Sequence, residues 1–278
     1  MCKKGDRRSV VKMANRLFCR EQKRLRKKTE EAKKSGRVSA SLFLEGEMNA
    51  LSDADCFFFY GSRIRPKSLL TVFFPDEEHA EITVAEFTPE KQGLPALYRS
   101  ALRECKRVGA EAVHTVRNPV HGFDLKCVEG IDFSYEWSEY MLCTGMNELA
   151  ESGKAEAPVA GEFTGTTVRK SEAPEGDGTL CYTLLCGGKE AAECRILPVA
   201  EGMQCYLFGL KTKEEFRRKG MATRLLREIA KEYAVRAGAV MRLQVSSKNG
   251  PAERLYRKLG FVTEEEREYY KTEVSDGR

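Results

Sequence analysis

The strand-like run CYLFGLK (205–211) leads through the basic turn RRKG (217–220) into the helix-patterned run ATRLLREIAKEYA (222–234). A helix start leaves backbone N–H groups without intrahelical partners and carries a partial positive charge. Phosphate is a natural partner for such a terminus. Gly220 lets the backbone approach an anion closely. Ala222 keeps a neighbouring position small, Arg217, Arg218 and Lys219 add full charges, and Thr223 offers a hydroxyl in the first turn. The segment has neither GxxxxGK[ST] nor GxGxxG, which excludes a Walker loop and a dinucleotide fingerprint. Taken by itself, the turn reads as either an anion seat or a solvated connection.

The surrounding pattern is that of an α/β chain. CFFFYG (56–61), SLLTVFF (68–74) and AEITVAEF (80–87) read as strands. LYRSALRECKRVG (97–109) has helical periodicity with a glycine stop, and AEAVHTV (110–116) and IDFSYEWSEYMLC (131–143) return to strand character. The small, polar run NELAESGKAEAPVAGE (147–162) reads as a linker. After it, LCYTLLC (180–186) and KEAAECRILPV (189–199) flank Gly187-Gly188 as a hairpin. A strand (204–211), a helix (222–236), a strand (239–245), a short helix (249–261) and a final strand (266–273) follow. The halves echo each other: Gly93, Gly109, Asn118 and Glu139 have counterparts at Gly220, Gly238, Asn249 and Glu268. The expected organisation is therefore an N-terminal lobe over 1–146, a linker over 147–162 and a second lobe over 163–278.

The two motifs of the second lobe carry a family resemblance. Arg217-x-x-Gly220-x-Ala222 resembles the acyl-coenzyme A pyrophosphate loop, [QR]xxGx[GA], of the GNAT N-acetyltransferase superfamily. Asn249, Ala252, Leu255, Tyr256, Gly260 and Phe261 resemble that family's N-x-x-A-x-x-L-Y-x-x-x-G-F motif, and Thr212, Glu215 and Phe216 match its T-x-x-E-[YF] lead-in. The resemblance covers residues 180–270 and extends, in decayed form, to the first lobe. It implies two GNAT-like lobes of α+β type. Each would have a mixed, mostly antiparallel sheet flanked by helices, with a splayed parallel strand pair in the C-terminal lobe.

The implied activity is acetyl transfer from acetyl-CoA to a primary amine by direct attack, with no metal. The backbone of Gly209, Leu210 and Lys211 would pair with the pantetheine arm, and the Leu210 N–H would face the thioester oxygen. The amides of Lys219, Gly220, Met221, Ala222 and Thr223, with Arg217 and Arg218, would hold the pyrophosphate. Asn249 would bond the arm or order its loop. Tyr256 would be the general acid; periodicity alone makes it a core aromatic. Glu193 and Glu201 are candidate bases, or solvated carboxylates. A covalent acetyl-cysteine at Cys205 is disfavoured, because no cation is assigned to lower its pKa.

The remaining features bound the alternatives. Residues 1–37 hold fifteen basic and four acidic residues, a net of +11, which leaves −6 for the rest of a chain whose formal charge is +5. That segment, with a helix over 7–34, is either a solvated helix or a nucleic-acid tether. A non-catalytic acetyl-CoA sensor is the other alternative to an enzyme. The expected acceptor is a small-molecule or peptide amine rather than nucleic acid. No apolar run is long enough for a membrane span. Ten cysteines without a CxxC pair and three histidines argue against zinc and for reduced thiols in a cytoplasm. In the first lobe Gly93 is kept, but Glu90 stands where a cation would help and Pro95 has no N–H. Asn118 is not followed by LYxxxGF, so this lobe is not expected to bind coenzyme A. Relatives carry two helices on the acceptor side; here about 15–20 residues separate the linker from the next confident strand, too few for both.

Overall fold

The computed structural model describes residues 2–4, 55–61, 66–84, 93–119, 124–152, 165–174, 176–199 and 203–274. The expected helix over 7–34, Glu90 and Glu201 lie outside them. Two compact units are present, Met1–Glu139 with Glu265–Arg278, and Tyr140–Glu264. The lobes read from the sequence, 1–146 and 163–278, divide the chain elsewhere: residues 140–146 group with the second unit and 265–278 with the first.

The first unit contains β1 (Cys2–Lys4), β2 (Cys56–Gly61), β3 (Pro66–Phe73), β4 (His79–Val84), α1 (Leu94–Val108) and β5 (Ala112–Arg117). The start of β6 (Ile131–Gly145) and most of β12 (Val262–Val274) also belong to it. β1 to β4 pair as antiparallel neighbours, and β4 and β5 are parallel. Parallel neighbours need a crossover, and α1 supplies it. Ala80, Ile82 and Val84 alternate along β4 and pack with Leu94, Leu97, Tyr98, Ala101 and Cys105 of α1 in one core. Thr115 is buried in this unit without being orphaned. Its N–H donates to Thr272 Oγ1 at 2.9 Å, Thr272 Oγ1 donates to Thr115 Oγ1 at 2.8 Å, and Thr115 Oγ1 donates to Tyr98 Oη at 3.3 Å. Such closure is what a buried hydroxyl requires.

The second unit runs from the end of β6 through α2 (Met146–Glu151), β7 (Thr166–Glu172), β8 (Leu180–Cys186) and β9 (Lys189–Val199). It continues through β10 (Gln204–Thr212), α3 (Met221–Tyr233), β11 (Val240–Ser246) and α4 (Gly250–Lys258). β7 to β10 are antiparallel neighbours, while β10 and β11 are parallel with α3 as their crossover. The strand–helix–strand order β4–α1–β5 thus recurs as β10–α3–β11, as the internal echo predicted. Met221, Leu225, Leu226, Ile229, Ala230 and Tyr233 form the buried stripe of α3. They pack on Tyr182, Leu184, Cys194, Ile196, Cys205 and Leu207, which share one face of the sheet.

Two elements escaped the sequence pattern. The segment read as linker opens with α2, where Met146 and Leu149, one turn apart, are buried. β7 was not expected because its residues are exposed on both faces apart from the half-buried Thr166, so no apolar alternation marks it.

Cys105, Cys143, Cys181, Cys186 and Cys194 are free thiols. Burial pushes the thiols of Cys105 and Cys194 from 9.0 up to about 12, and that of Cys205 to about 11. A folded-state pKa above the unfolded value contributes stability that is complete below pH 9 and lost as pH rises toward the folded value. Chemical denaturation of the reduced protein should therefore show stability falling above pH 9, by up to about 1.4 kcal/mol per pH unit for each of the three thiols. A midpoint that stays flat to pH 10.5 would contradict this.

Candidate functional site

The ladder between β10 and β11 joins Gln204 to Val240, Cys205 to Met241, Tyr206 to Arg242 and Leu207 to Leu243, and then stops. Both strands run on, β10 to Thr212 and β11 to Ser246. The parallel pair is therefore splayed, as expected. On its other edge β10 carries a bulge. Phe208 faces Arg195 and Lys211 faces Glu193, so Gly209 and Leu210 together oppose the single residue Cys194. Gly209 sits at φ +64°, in the left-handed region that glycine enters without penalty. The bulge takes these two residues out of the regular ladder beside the splay. The ladder resumes beyond them, and Lys213 N–H donates to Ala191 C=O at 3.0 Å.

The splay opens into a cavity of about 590 Å³. Leu210, Lys211, Arg217, Ala222, Asn249 and Tyr256 line it, and so does Glu193. The turn at its mouth is anchored by Phe216, which is buried in the core. Arg218 is the only non-glycine at positive φ among the described residues, at +60°, and Gly220 follows at +75°. Left-handed residues in such a turn aim successive N–H groups at one point, as in an anion nest. The first intrahelical hydrogen bond of α3 runs from Arg224 N–H to Gly220 C=O at 2.9 Å, so the N–H groups of Met221, Ala222 and Thr223 have no partner within the helix. No side chain caps this end and no acidic residue stands in its first turn. Arg217, Arg218 and Lys219 are exposed around it, and the Arg217 Nε–H donates to Thr212 C=O at 3.3 Å, which draws that side chain toward the end of β10. A Cβ built on Gly220 would meet nothing within 4 Å. Open space, backbone donors without helical partners and positive charge together suit an anion.

The first unit shows what the same junction looks like when closed. The ladder between β4 and β5 continues to Thr83 and Val116, one residue short of each strand's end. Gly93 caps α1 at φ −93°, not in the left-handed region. A Cβ there would lie 2.2 Å from Cγ of Tyr60, so this glycine makes room for an aromatic ring. Pro95 in the first turn of α1 removes a donor as well.

The other expected site residues fall into place unevenly. Tyr256, on α4, is buried and lies 5.5 Å from the Phe261 ring between centroids. Burial, and then the nearby Cys194, push its phenol from 10.0 up to about 12, so it keeps its proton at neutral pH. Asn249 Oδ1 accepts from Ala252 N–H at 3.3 Å and caps α4. The Met221 side chain is buried in the core, so only its backbone faces the seat. Cys205 is buried in the core and is not part of the cavity wall, and its raised pKa makes it a poor nucleophile. Glu190, Lys213, Glu214 and Pro251 also line the cavity. None was singled out from the sequence, because their places follow from strand register and turn geometry; Ala252 and Leu255, also in the wall, belong to the motif quoted above.

Comparison with known proteins was made on this geometry. Residues 192–270 match the family model described as FR47-like protein, which is GNAT-related. No curated protein matches the chain by sequence. A GCN5-related N-acetyltransferase from Sphaerobacter thermophilus is similar in structure, with a TM-score of 0.59 at 13% identity, covering 100% of this chain and 96% of that one. A tandem GNAT protein from the clavulanic acid biosynthesis pathway has a TM-score of 0.59 at 12% identity, with 100% of both chains covered. The chain thus carries an FR47-like, GNAT-related segment over residues 192–270, on an α/β fold that is similar to those of these two structures.

Proposed function

We propose that the chain is an N-acetyltransferase that moves the acetyl group of acetyl-CoA to a primary amine. The observation that carries this reading is the uncapped, cation-flanked start of α3 opening onto the β10–β11 splay. A diphosphate fits the start of α3, and an extended pantetheine arm fits the edge of β10. Acetyl-CoA supplies, when bound, a thioester carbonyl open to attack by an amine. The amides from Lys219 to Thr223 hold the diphosphate, with Arg217 and Arg218 adding charge. The freed backbone of Gly209, Leu210 and Lys211 pairs with the arm. The Leu210 N–H faces the carbonyl oxygen and stabilises the charge that develops there. Glu193 takes the proton of the incoming amine, directly or through water. Tyr256 Oη delivers its proton to the departing sulfur. The free thiols support a reducing, cytoplasmic setting.

Free-thiol release should fall by about 10²–10⁴-fold in kcat in Tyr256→Phe, with acetyl-CoA affinity nearly unchanged. Because the Tyr256 phenol is held near 12, kcat/KM should rise or level, and not fall, up to about pH 9.5. Unaltered turnover in the variant would remove the tyrosine from the mechanism. Acetyl-CoA binding without thiol release from any amine would favour a sensor.

The Tyr60 ring against Gly93, with Pro95 beside it, leaves the α1 junction without a seat. Calorimetry should accordingly give one acetyl-CoA per chain; a stoichiometry near two would refute this.

Arg218→Gly should relieve the left-handed strain and raise folding stability by about 1 kcal/mol while keeping acetyl-CoA binding within a few-fold. A stability loss in urea unfolding would show that the Arg218 side chain, not its backbone, sets the turn.

A further inference from the structure

We propose, on the basis of the acetyl-transfer reading above, that Arg242 is a positioning residue. Its ion pair with Glu264 fixes the level at which β10 and β11 part, and so the place of the acyl donor's arm between them. The last rung of that ladder is Leu207–Leu243, and Tyr206–Arg242 is the rung before it. Both residues of the earlier rung are tied sideways. Arg242 Nε–H donates to Glu264 Oε2 at 2.7 Å, and Nη2–H donates to Glu264 Oε1 at 3.0 Å. Tyr206 Oη donates to Met141 Sδ at 3.0 Å. All four residues belong to the second unit.

Each tie passes over a strand. The local strand order is β12, β6, β11, β10. Arg242 of β11 reaches Glu264 of β12 across β6, and Tyr206 of β10 reaches Met141 of β6 across β11. Cys143 of β6 lies close enough to feel the charges of both Glu264 and Arg242. A reach of two inter-strand spacings is about 10 Å, which backbone hydrogen bonds between neighbours do not cover. The ties therefore hold second neighbours together, and they do so just below the point where the ladder ends. The planar guanidinium fork accepts a carboxylate in one orientation, so the pair sets direction as well as distance. Its side chains are only 15% and 12% exposed, which limits screening by salt.

Stability does not account for the choice of residues. Arg242 Nη1 is buried and has no hydrogen-bond partner among the described residues. A buried ion pair can be replaced by apolar residues of similar volume with little loss of stability, or with a gain. What an apolar pair does not reproduce is the fixed direction of the fork, which holds the β11 edge of the splay toward β6 and β12. The turn before α3 is anchored separately, through the buried Phe216. Loss of the fork should therefore disturb the gap between the strands and leave the start of α3 as it is.

Three variants test this. Glu264→Gln removes the charge, Arg242→Lys removes the fork, and the double variant Arg242→Met/Glu264→Leu replaces the pair by apolar groups. The urea midpoint should fall in Glu264→Gln and return to near the wild-type value in the double variant. In all three, calorimetry should show acetyl-CoA binding weakened by about ten-fold, because the arm no longer meets a preorganised gap. ADP, which has the diphosphate without the arm, should bind within about two-fold of wild type in the same titrations. If the double variant fails to fold, Arg242→Lys carries the same comparison. Wild-type acetyl-CoA affinity in a folded variant that lacks the fork would reduce the pair to a structural contact and overturn the proposal, with acetyl transfer left standing. A parallel loss of ADP binding would also overturn it, since the start of α3 would then have moved. Absence of acetyl-CoA binding by the wild-type protein would overturn both.

Discussion

The site depends on where two parallel strands stop pairing. Beyond Leu207 and Leu243, β10 and β11 continue without a shared ladder. Backbone groups left without strand partners need water or a ligand, because an unmet buried donor costs about 1–3 kcal/mol. The bulge at Gly209 and Leu210 loosens the other edge of β10 at the same level. The fold tolerates this because both ends of the gap are fixed. Below it the four-pair ladder and the α3 core hold the strands together; above it Phe216 is buried and Lys213 rejoins β9.

The comparison between the two units shows that a shared strand–helix–strand plan does not carry the chemistry with it. In the second unit the glycine before the helix is left-handed with open space beside it; in the first it is not left-handed and lies under an aromatic ring. A position that looks kept in the sequence has exchanged one use of a missing Cβ for another. Tyr60, nowhere near Gly93 in sequence, makes the difference.

The far end of α3 is held by a polar cluster instead of a ligand. Glu232 accepts from Tyr182 Oη at 3.0 Å and from Lys170 Nζ at 2.5 Å, and the Tyr182 and Tyr233 hydroxyls lie 3.5 Å apart. This ties β7 and β8 to the last turn of α3. Burial first, and then Tyr233 and Glu232, raise the Tyr182 phenol well above its ordinary range, so it stays a neutral donor. Fixing that end helps the opposite end, where the amides are displayed, hold its direction.

Much of this was legible in the residues themselves. Strands with strict alternation, helices with a 3.6-residue stripe and glycine-marked turns were readable because each is a local pattern with a local cause. The basic glycine turn before α3 was readable for the same reason: Arg217, Gly220 and Ala222 lie within six residues of one another. β7 and α2 were not readable, since an edge strand exposed on both faces and a six-residue helix leave no periodic trace. Tertiary structure alone decided the rest. The stop in the β10–β11 ladder, the places of Glu190 and Glu193 in the cavity wall and the ring of Tyr60 over Gly93 all join residues distant in sequence. Strand register and chain crossing set those meetings, and neither is written in any short stretch of residues.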